Sequence, residues 1–408
     1  MTNSFSLFAG WLIDGMGGPV QRNVMINVKN GLIDSIRDIT QDDLLQADII
    51  KLPNCTVLPG LIDCHVHLFM SGVKDPDIRR QQLHAPFKDM RQVIYRHLCQ
   101  QLIHGVVAVR DGGDYAGHAR RYKEECLPQK GLPICMKTAG KAWRAPGRYG
   151  KLIGRAPSRG TTLAQAILNT KTKIDHVKIV NSGLNSLTCF GKETSPQFGL
   201  DQLKLAVKAA DDLGLKTMVH ANGKLPVRLA VEAGCHSIEH GFFMGRDNLK
   251  RMADKQTTWV PTAFTMKAYH ALLESESLER KISRKNLDHQ LGQINQALDF
   301  GTPIAVGTDC GSLGVHHGAA VKEEVLLLIR AGFSLEAAVK SATLNGASLL
   351  GLENEYGRLI PKMPATFVVV RGDISHLPDF IDTPEEVFIR GEKMILTRQL
   401  NRLVSVDN

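Results

Sequence analysis

Residues 59–68 read Pro-Gly-Leu-Ile-Asp-Cys-His-Val-His-Leu, an apolar run that ends in a His-x-His pair. Side chains along a strand alternate between two faces, so His65 and His67 point the same way and Val66 points the other way. Asp63 shares the face of the two histidines. Two imidazoles held side by side on rigid backbone form half of a transition-metal site, and a nearby carboxylate could orient one of them. The stretch therefore predicts a metal-binding strand whose remaining ligands come from elsewhere in the chain.

Beyond this strand, the chain alternates between short apolar segments and helical patterns, which is typical of a βα barrel or a doubly wound sheet. The segments predicted to be strands are residues 60–68, 106–110, 134–139, 176–180, 217–220, 237–240, 258–262 and 303–308. Eight strands with intervening helices over roughly 250 residues are typical of a TIM barrel. The sequence therefore predicts an α/β fold with a TIM (β/α)8 barrel, and a doubly wound sheet is the alternative.

The two ends of the chain have a different pattern. Residues 1–58 contain short β-segments separated by turns such as Asn30-Gly31, where both residues tolerate positive φ. After the barrel region, the pattern becomes β-rich again at residues 366–371 and 386–394. We predict that residues 1–58 and 355–408 are the two parts of one small β-sandwich domain. Residues 59–354 are then the TIM-barrel domain.

Composition narrows the classes of protein to consider. The 408 residues are 43% hydrophobic and 22% charged, as in ordinary globular proteins. The formal net charge is +9, but aromatic residues are only 6% of the chain, which argues against a nucleic-acid partner. Apolar runs are too short to span a membrane, so no membrane partner is expected. The 8 cysteines stand singly, with no Cys-x-x-Cys pair, which is typical of reduced thiols and favours the cytoplasm.

In a TIM barrel, the chemistry lies at the C-terminal ends of the strands, so polar residues at those ends are of interest first. The fourth predicted strand carries a lysine, the fifth and sixth each end in a histidine, and an aspartate follows the eighth. Each of these residues taken alone is more often structural than functional. Together with the first strand they form one coherent set of candidate ligands: His65, His67, Lys178, His220, His240 and Asp309.

The candidates lie in five short motifs: PGLIDCHVH at residues 59–67, VKI at 177–179, VHA at 219–221, IEHG at 238–241 and GTD at 307–309. Together these motifs resemble those of the amidohydrolase superfamily, specifically its prolidase-like, imidazolonepropionase-related members. The likeness extends over nearly the whole chain. It implies a distorted TIM barrel with a small β-sandwich domain formed by both termini, in agreement with the pattern of strands.

The resemblance also implies a centre of two divalent metal ions, with zinc as the expected metal. His65, His67 and Asp309 would hold the first ion, and His220 and His240 would hold the second. Lys178 would bridge them as a carbamate formed with carbon dioxide, since a carbamate carries a negative charge and two oxygens. An unmodified Lys178 with a lowered pKa is the alternative.

Such a centre predicts a binuclear metal-dependent hydrolase. A metal-bridging hydroxide would attack a carbonyl, and Asp309 would pass the proton to the leaving amine. The predicted small-molecule substrate is a dipeptide or an N-acyl amino acid. A cyclic amide, a lactone, a carbamate or a phosphotriester would suit the same site, and a non-catalytic metal-stabilised scaffold is a further alternative. Assembly into a homo-oligomer stays open.

The segment after the third predicted strand departs from the family pattern. Many prolidase-like members carry Gly-Gly-His-Gly there, whereas residues 140–151 read GKAWRAPGRYGK. Residues 127–174 include ten Lys or Arg and no Asp or Glu. A field of one sign at the barrel mouth concentrates oppositely charged ligands, so we predict an anionic substrate. The candidate substrate contacts are Arg144, Arg148 and Lys151 for a carboxylate, and Tyr149, His316 and His317.

Overall fold

The structure is a computed structural model that describes residues 4–394. Residues 1–3 and 395–408, which belong to the predicted terminal domain, lie outside the described residues. The strands, in chain order, are β1 Phe5–Leu12, β2 Gln21–Lys29, β3 Leu32–Asp38, β4 Ile49–Pro59, β5 Leu61–Val66, β6 Val106–Asp111, β7 Cys135–Thr138, β8 Ala142–Trp143, β9 Gly154–Arg155, β10 His176–Val180, β11 Lys216–Ala221, β12 Ser237–His240, β13 Thr258–Val260, β14 Phe367–Arg371, β15 Glu386–Ile389 and β16 Glu392–Lys393.

Helices alternate with the strands through the middle of the chain. They are α1 Gln41–Leu45, α2 Pro76–Gln82, α3 Phe87–Ile103, α4 His118–Glu125, α5 Leu127–Lys130, α6 Leu163–Leu168, α7 Leu200–Asp212, α8 Lys224–Glu232, α9 Arg246–Asp254, α10 Phe264–Leu272, α11 Leu278–Phe300, α12 Ala320–Arg330, α13 Leu335–Ala342, α14 Leu344–Leu350 and α15 Leu377–Phe380. Among residues 4–394, no helix has the length and apolar character needed to cross a membrane.

Both ends of the chain meet in one seven-stranded sheet with the order β16-β15-β14-β4-β1-β2-β3. Strand β4 is at its centre, parallel to β1 and antiparallel to β14. The apolar residues of this sheet form a core of their own, in which side chains from β1, β2 and β4 pack with those of β14 and β15. The sheet thus joins β-segments from the N-terminal and C-terminal parts of the chain.

The middle of the chain forms two parallel sheets. The smaller has the order β5-β6-β7 and the larger the order β13-β12-β11-β10-β8-β9, and every strand pair in both is parallel. Every residue of β5, β6, β10 and β12 is buried, as expected for parallel strands covered on both faces. The prediction of an α/β fold with parallel sheets is confirmed.

The eighth predicted strand, residues 303–308, is not a continuous strand. Ile304 forms a single bridge to Trp259 of β13 instead, and Cys310, two residues past the segment, forms one to Val66 of β5. The N–H of Val306 is drawn away to the carbonyl oxygen of Ser341, 2.9 Å distant, so a regular ladder does not develop. These bridges nevertheless place the segment between β13 and β5, the outer strands of the two parallel sheets.

Candidate active site

His65 of β5 and His67, the first residue after that strand, lie close together, with ring centroids 5.4 Å apart. Nδ1 of His65 is 2.8 Å from Oε2 of Glu239, and Nδ1 of His67 is 2.9 Å from the carbonyl oxygen of Gly113. These contacts turn both Nε2 atoms toward Asp309, whose Oδ1 is 3.5 Å from each. The three side chains offer ligand atoms within 4.8 Å of one another, the spacing of a metal site.

Gly112 leaves room for these ligand atoms. A Cβ atom at this position would lie 2.8 Å from Cε1 of His67 and 3.4 Å from Nε2 of His65. A contact of 2.8 Å is too short for two carbon atoms. Because the His67 ring is held by the carbonyl oxygen of Gly113, the overlap could be relieved only by moving that imidazole. The close approach of the backbone at Gly112 therefore fixes the space in front of the two Nε2 atoms.

His220 and His240 complete a cluster of four imidazoles. Their ring centroids are 4.6 Å apart, and those of His65 and His240 are 4.9 Å apart. Nδ1 of His240 is 2.7 Å from Oγ1 of Thr262, and Nε2 of His220 is 3.1 Å from the carbonyl oxygen of Gly183. The opposite ring nitrogens, Nε2 of His240 and Nδ1 of His220, are left for a ligand.

Burial sets the charge of these groups. It lowers the pKa of His220 to about 3 and that of His67 to about 4, and it lowers the pKa values of His65 and His240 well below the ordinary range. The imidazoles are therefore neutral at pH 7, which is the form that binds a metal ion. Burial also raises the pKa of Asp309 to about 7, while Lys178 and a hydrogen bond from Ser312 oppose the shift.

Lys178 lies among these imidazoles on β10, with only 1% of its surface exposed. Its Nζ is 3.4 Å from Nε2 of His65. Within residues 4–394, no carboxylate lies within salt-bridge distance of this Nζ. Burial is the main reason that the pKa of Lys178 falls to about 8, with Glu239 opposing the shift and Arg110 reinforcing it. An ammonium in this position is poorly compensated.

Backbone strain is concentrated at the same place. His240 has a φ of 67° and Asp309 a φ of 58°, in the left-handed region that residues other than glycine seldom occupy. At His240 this conformation ends β12 and breaks the alternation of faces along the strand. Glu239 and its neighbour His240 therefore both reach the cluster, where a regular strand would direct them to opposite sides.

The sequence pattern did not indicate a role for Glu239, whose carboxylate holds the His65 ring in place. Its side chain is fully buried, and Oε1 accepts hydrogen bonds from Nη2 of Arg110 at 2.8 Å and from Oγ of Ser237 at 2.5 Å. Oε2 faces His65. Asp63, which the alternation pattern offered for this role, instead accepts hydrogen bonds from backbone N–H groups and from Thr308 Oγ1 at 2.6 Å.

The cluster lies at the bottom of a cavity of about 330 Å³. Most of the wall is apolar, and its polar side chains include Tyr269, which the sequence offered as a possible carboxylate hydrogen-bond donor, and Arg79 and Asn185, which the sequence pattern did not single out. Nδ2 of Asn185 is buried and has no hydrogen-bond partner within the described part of the chain. All the predicted ligands line this cavity: His65, His67, Lys178, His220, His240 and Asp309.

Some of the predicted substrate contacts line the cavity and others do not. Tyr149 lines the cavity, and its ring centroid is 5.5 Å from that of His220. Arg144, Arg148 and Lys151 are not among the lining residues, and Lys151 is exposed. The guanidinium groups are used within loops: Nη1 of Arg144 donates to the carbonyl oxygen of Ala145, and Nη2 of Arg148 donates to that of Ser195. The neighbouring apolar residues of this segment face the cavity instead.

The two histidines after Asp309 are also outside the lining. His317 is buried, with Nε2 2.9 Å from the carbonyl oxygen of Met70 and its ring stacked on His97 at 4.1 Å. Its surroundings are those of a packed side chain that connects loops. His316 is exposed at the surface. For these two residues, the structure gives no contact with the cavity.

Comparison with known proteins identifies the family. Residues 56–394 match the Amidohydrolase family over most of the chain. The chain belongs to this family. It is 23% identical to an imidazolonepropionase of Geobacillus kaustophilus, covering 87% of this chain and 84% of that protein. It is 24% identical to an ochratoxinase of Aspergillus niger, covering 85% of this chain and 76% of that protein.

Solved structures agree with this assignment of the fold. A Xaa-Pro dipeptidase with methionine bound in its active site superimposes with a TM-score of 0.79 at 24% identity, covering 96% of this chain and 99% of that one. The resemblance to the amidohydrolase superfamily is thereby confirmed, and so is the prediction of an enzyme, a hydrolase of the amidohydrolase type.

Proposed function

We propose that this amidohydrolase is a binuclear metal-dependent enzyme that cleaves the amide bond of an N-acyl amino acid or a dipeptide. The observation that carries the proposal is the convergence of four neutral imidazoles, one lysine and one carboxylate at the bottom of a single cavity. Six candidate ligands exceed what one tetrahedral ion uses, which supports two ions. The names of the relatives, a dipeptidase and an ochratoxinase among them, are consistent with amide hydrolysis.

The residues present fit two divalent ions, with zinc as the expected metal. His65, His67 and Asp309 would hold one ion through Nε2, Nε2 and Oδ1, the atoms that face one another. His220 and His240 would hold the other through Nδ1 and Nε2, the ring nitrogens to which no described residue is hydrogen-bonded. Bound ions would supply a hydroxide at neutral pH and polarise the substrate carbonyl.

Lys178 is proposed to carry a carbamate. Carbon dioxide forms a bond with the neutral amine of Nζ and a proton is released, which converts a cationic group into an anionic one with two oxygens. The pKa of Lys178, lowered to about 8, leaves a fraction of the amine neutral at pH 7. The lack of a carboxylate beside Nζ within the described part of the chain supports a modification that removes the positive charge.

Asp309 is proposed to move the proton. Its Oδ2 accepts a hydrogen bond from Oγ of Ser312 at 2.9 Å, which holds the carboxylate at the cavity floor. A carboxylate within reach of the nucleophile would accept its proton and return it to the leaving amine. The amide C–N bond breaks, the acyl carbon gains an oxygen from water, and the amine departs with the proton.

The fold we propose around this site is the distorted TIM barrel. The segment 303–310 would join the two parallel sheets into one ring, and its bridges to Trp259 and Val66 support this arrangement. The catalytic end would then be the C-terminal end of the strands. Residues 59–354 would form this domain, and residues 1–58 and 355–408 would form the terminal β-sandwich.

Metal content and turnover test the proposal together. Protein produced with added zinc is subjected to elemental analysis and then assayed against a panel of N-acyl amino acids and dipeptides, before and after treatment with a chelator. We expect about two zinc ions per chain and turnover that chelation removes and zinc restores. A ratio near one with unmodified Lys178, or the absence of turnover on every amide, would contradict it.

A second candidate uses the same site on a different bond. The solved structures that resemble this chain include a molinate hydrolase and a phenylurea hydrolase, at 15% and 14% identity. A cyclic amide, a lactone, a carbamate or a phosphotriester would meet the same nucleophile, and the shape of the cavity would decide between them. Adding these classes to the same panel separates the two candidates.

A further inference from the structure

Arg79 is a cation at the cavity wall that has no anionic partner among the described residues. It lies on α2 and is half-buried, and its Nη1 donates to the carbonyl oxygens of Ser71 at 2.5 Å and Gly311 at 3.1 Å. Within residues 4–394 these are its hydrogen bonds, and no carboxylate reaches its guanidinium. The N–H groups of Nε and Nη2 are therefore open to a ligand. Guanidinium groups recognise carboxylates through two parallel hydrogen bonds, which this geometry permits.

The anchors of Arg79 place it on the Asp309 side of the cavity. Ser71 belongs to the loop that follows His67, and Gly311 comes two residues after Asp309. Since Asp309 is proposed to return a proton to the leaving amine, a group bound by Arg79 would belong to the amine product. The amine half of a substrate would thus lie at Arg79, and the acyl half would lie away from it.

Tyr269, on α10, is a second polar side chain near the guanidinium of Arg79. It lines the cavity, and both Asp309 and Arg79 affect its pKa, which burial and Asp309 raise and Arg79 lowers. No hydrogen bond to another described residue engages its hydroxyl group. The hydroxyl is thus a donor within electrostatic reach of the guanidinium, suited to the same anion.

The apolar wall near Arg79 defines the rest of the leaving group. Phe69, Met70 and Leu83 line the cavity, and they belong to one hydrophobic cluster close to Arg79 in the chain. On the other side, Leu184 and Leu187 line the cavity beside Gly183, the residue that contacts His220. A substrate with an apolar acyl group on the His220 side and an apolar side chain near the guanidinium matches both walls.

We infer that Arg79, assisted by the Tyr269 hydroxyl, binds the carboxylate of an amino-acid leaving group whose side chain is apolar. The inference rests on the proposed function for the orientation of the substrate. In this inference Arg79 recognises the anion, in place of the basic segment of residues 140–151. The N-acyl L-amino acid is thereby oriented with its carboxylate at α2 and its acyl group beside His220.

Binding of the amine product tests this without turnover. L-leucine and L-leucinamide differ only in the carboxylate, and their affinities for the full-length, zinc-loaded protein are measured by calorimetry. We expect L-leucine to bind about 10- to 100-fold more tightly, the range of a hydrogen-bonded charge pair. Arg79→Met should abolish this preference, and Arg79→Lys should keep part of it. Arg80→Met is the matched control, because Arg80 is exposed on the same helix and pairs with Asp77.

Tyr269→Phe removes a hydroxyl and leaves the guanidinium anchors intact. It should lower the preference for L-leucine several-fold while thermal unfolding stays unchanged. Equal affinity of the parent protein for the two ligands would overturn the inference. A preference for L-leucine that persists in Arg79→Met would also overturn it, because the carboxylate would then be assigned to the metal ions. An Arg79→Met variant that loses affinity equally for both ligands would overturn it as well.

Matched substrates distinguish the failure of this inference from the failure of the proposed function. N-hexanoyl-L-leucine and N-hexanoyl-L-leucinamide are compared by kcat/KM in the parent and in Arg79→Met. Turnover of both with the same ratio in the two proteins would overturn the role of Arg79 and leave amide hydrolysis standing. No turnover of either, together with an L-leucine preference that depends on Arg79, would refute the reaction and leave the carboxylate site standing.

Discussion

Replacing Glu239 with glutamine tests how the buried charges beneath the site control Nε2 of His65, the nitrogen proposed to bind a metal ion. Glu239 accepts from Arg110 with Oε1 at 2.8 Å and faces Nδ1 of His65 with Oε2 at 2.8 Å. Arg110 is always protonated and donates only, so the oxygen of a glutamine must turn toward it. The NH2 group then faces Nδ1 of His65, which must accept. The imidazole proton moves to Nε2, the atom that faces Asp309.

Two magnitudes follow from this geometry. Removing one partner of a buried ion pair costs about 3 to 5 kcal/mol, and the lower end applies because glutamine keeps one acceptor for Arg110. Loss of the carboxylate that orients a metal-binding histidine weakens metal affinity about 10- to 100-fold, or about 1.4 to 2.7 kcal/mol. We therefore expect Glu239→Gln to lower both the free energy of unfolding of the metal-free protein and its affinity for zinc.

The assays are urea unfolding of chelator-treated protein and competition for zinc with a chromophoric chelator. The double variant Arg110→Met/Glu239→Gln removes the cation that orients the amide, so the glutamine oxygen can accept from Nδ1 of His65 again. It should recover much of the zinc affinity, whereas stability stays below that of the parent because Arg110 also donates to the buried carbonyl oxygen of Cys64 at 2.7 Å. Glu125→Gln, at an exposed pair with Arg121, is the control and should change stability by less than about 1 kcal/mol.

An unchanged zinc affinity in Glu239→Gln, alongside the expected loss of stability, would refute the tautomer reasoning. A double variant as weak in zinc binding as the single one would show that the carboxylate itself is needed, whatever the direction of the amide.

Three other changes have expected outcomes. Lys178→Ala should lower the zinc content from about two to one or fewer per chain while the circular dichroism spectrum is retained, and two full sites would rule out a bridging lysine. Asp309→Asn should retain substantial metal but lower kcat by orders of magnitude, since an amide cannot accept the proton; comparable turnover would point to another base. Burial raises the pKa of Glu324 from 4.5 to about 8, so its folded-state proton is retained while the unfolded chain loses its own, and stability falls as pH rises between these values. Glu324→Gln should therefore gain stability relative to the parent between pH 5.5 and pH 9 in urea unfolding, and a constant difference would show that Glu324 does not titrate there.

Most parallel strands were predictable because a buried strand is a short apolar run with clear ends. Residues 176–180 were predicted as a strand and form β10, and the predicted 217–220 lies within β11, Lys216–Ala221. The segment 303–308 has the same apolar character, yet its N–H groups find partners in different elements. Which partner a backbone group meets depends on the packed fold, and apolar character alone does not encode it.

The residues of the site likewise include some that the sequence could predict and others that depend on the packed fold. Histidines and an aspartate at the ends of strands could be predicted, because those ends meet at one edge of the parallel sheets. Glu239 could not, since its access depends on the left-handed backbone of the next residue, His240. Arg79 could not either, because its position depends on carbonyl groups of two loops, one of them 232 residues further along the chain. Charge density drew attention to Arg144 and Arg148, but the directions of their side chains are set by local carbonyl groups.

The order of strands in the seven-stranded sheet has a consequence for folding during synthesis. Strand β4 gains its neighbour β14 only after more than three hundred further residues have been made, and until then one of its edges has open N–H and C=O groups. An open edge can pair with another chain, so a nascent or truncated product that ends before Phe367 is prone to aggregation. Pro59 of β4 pairs with Phe367 and leads directly into the strand of His65. Synthesis of the last strands therefore also completes the support of His65 and His67, the first two of the proposed metal ligands.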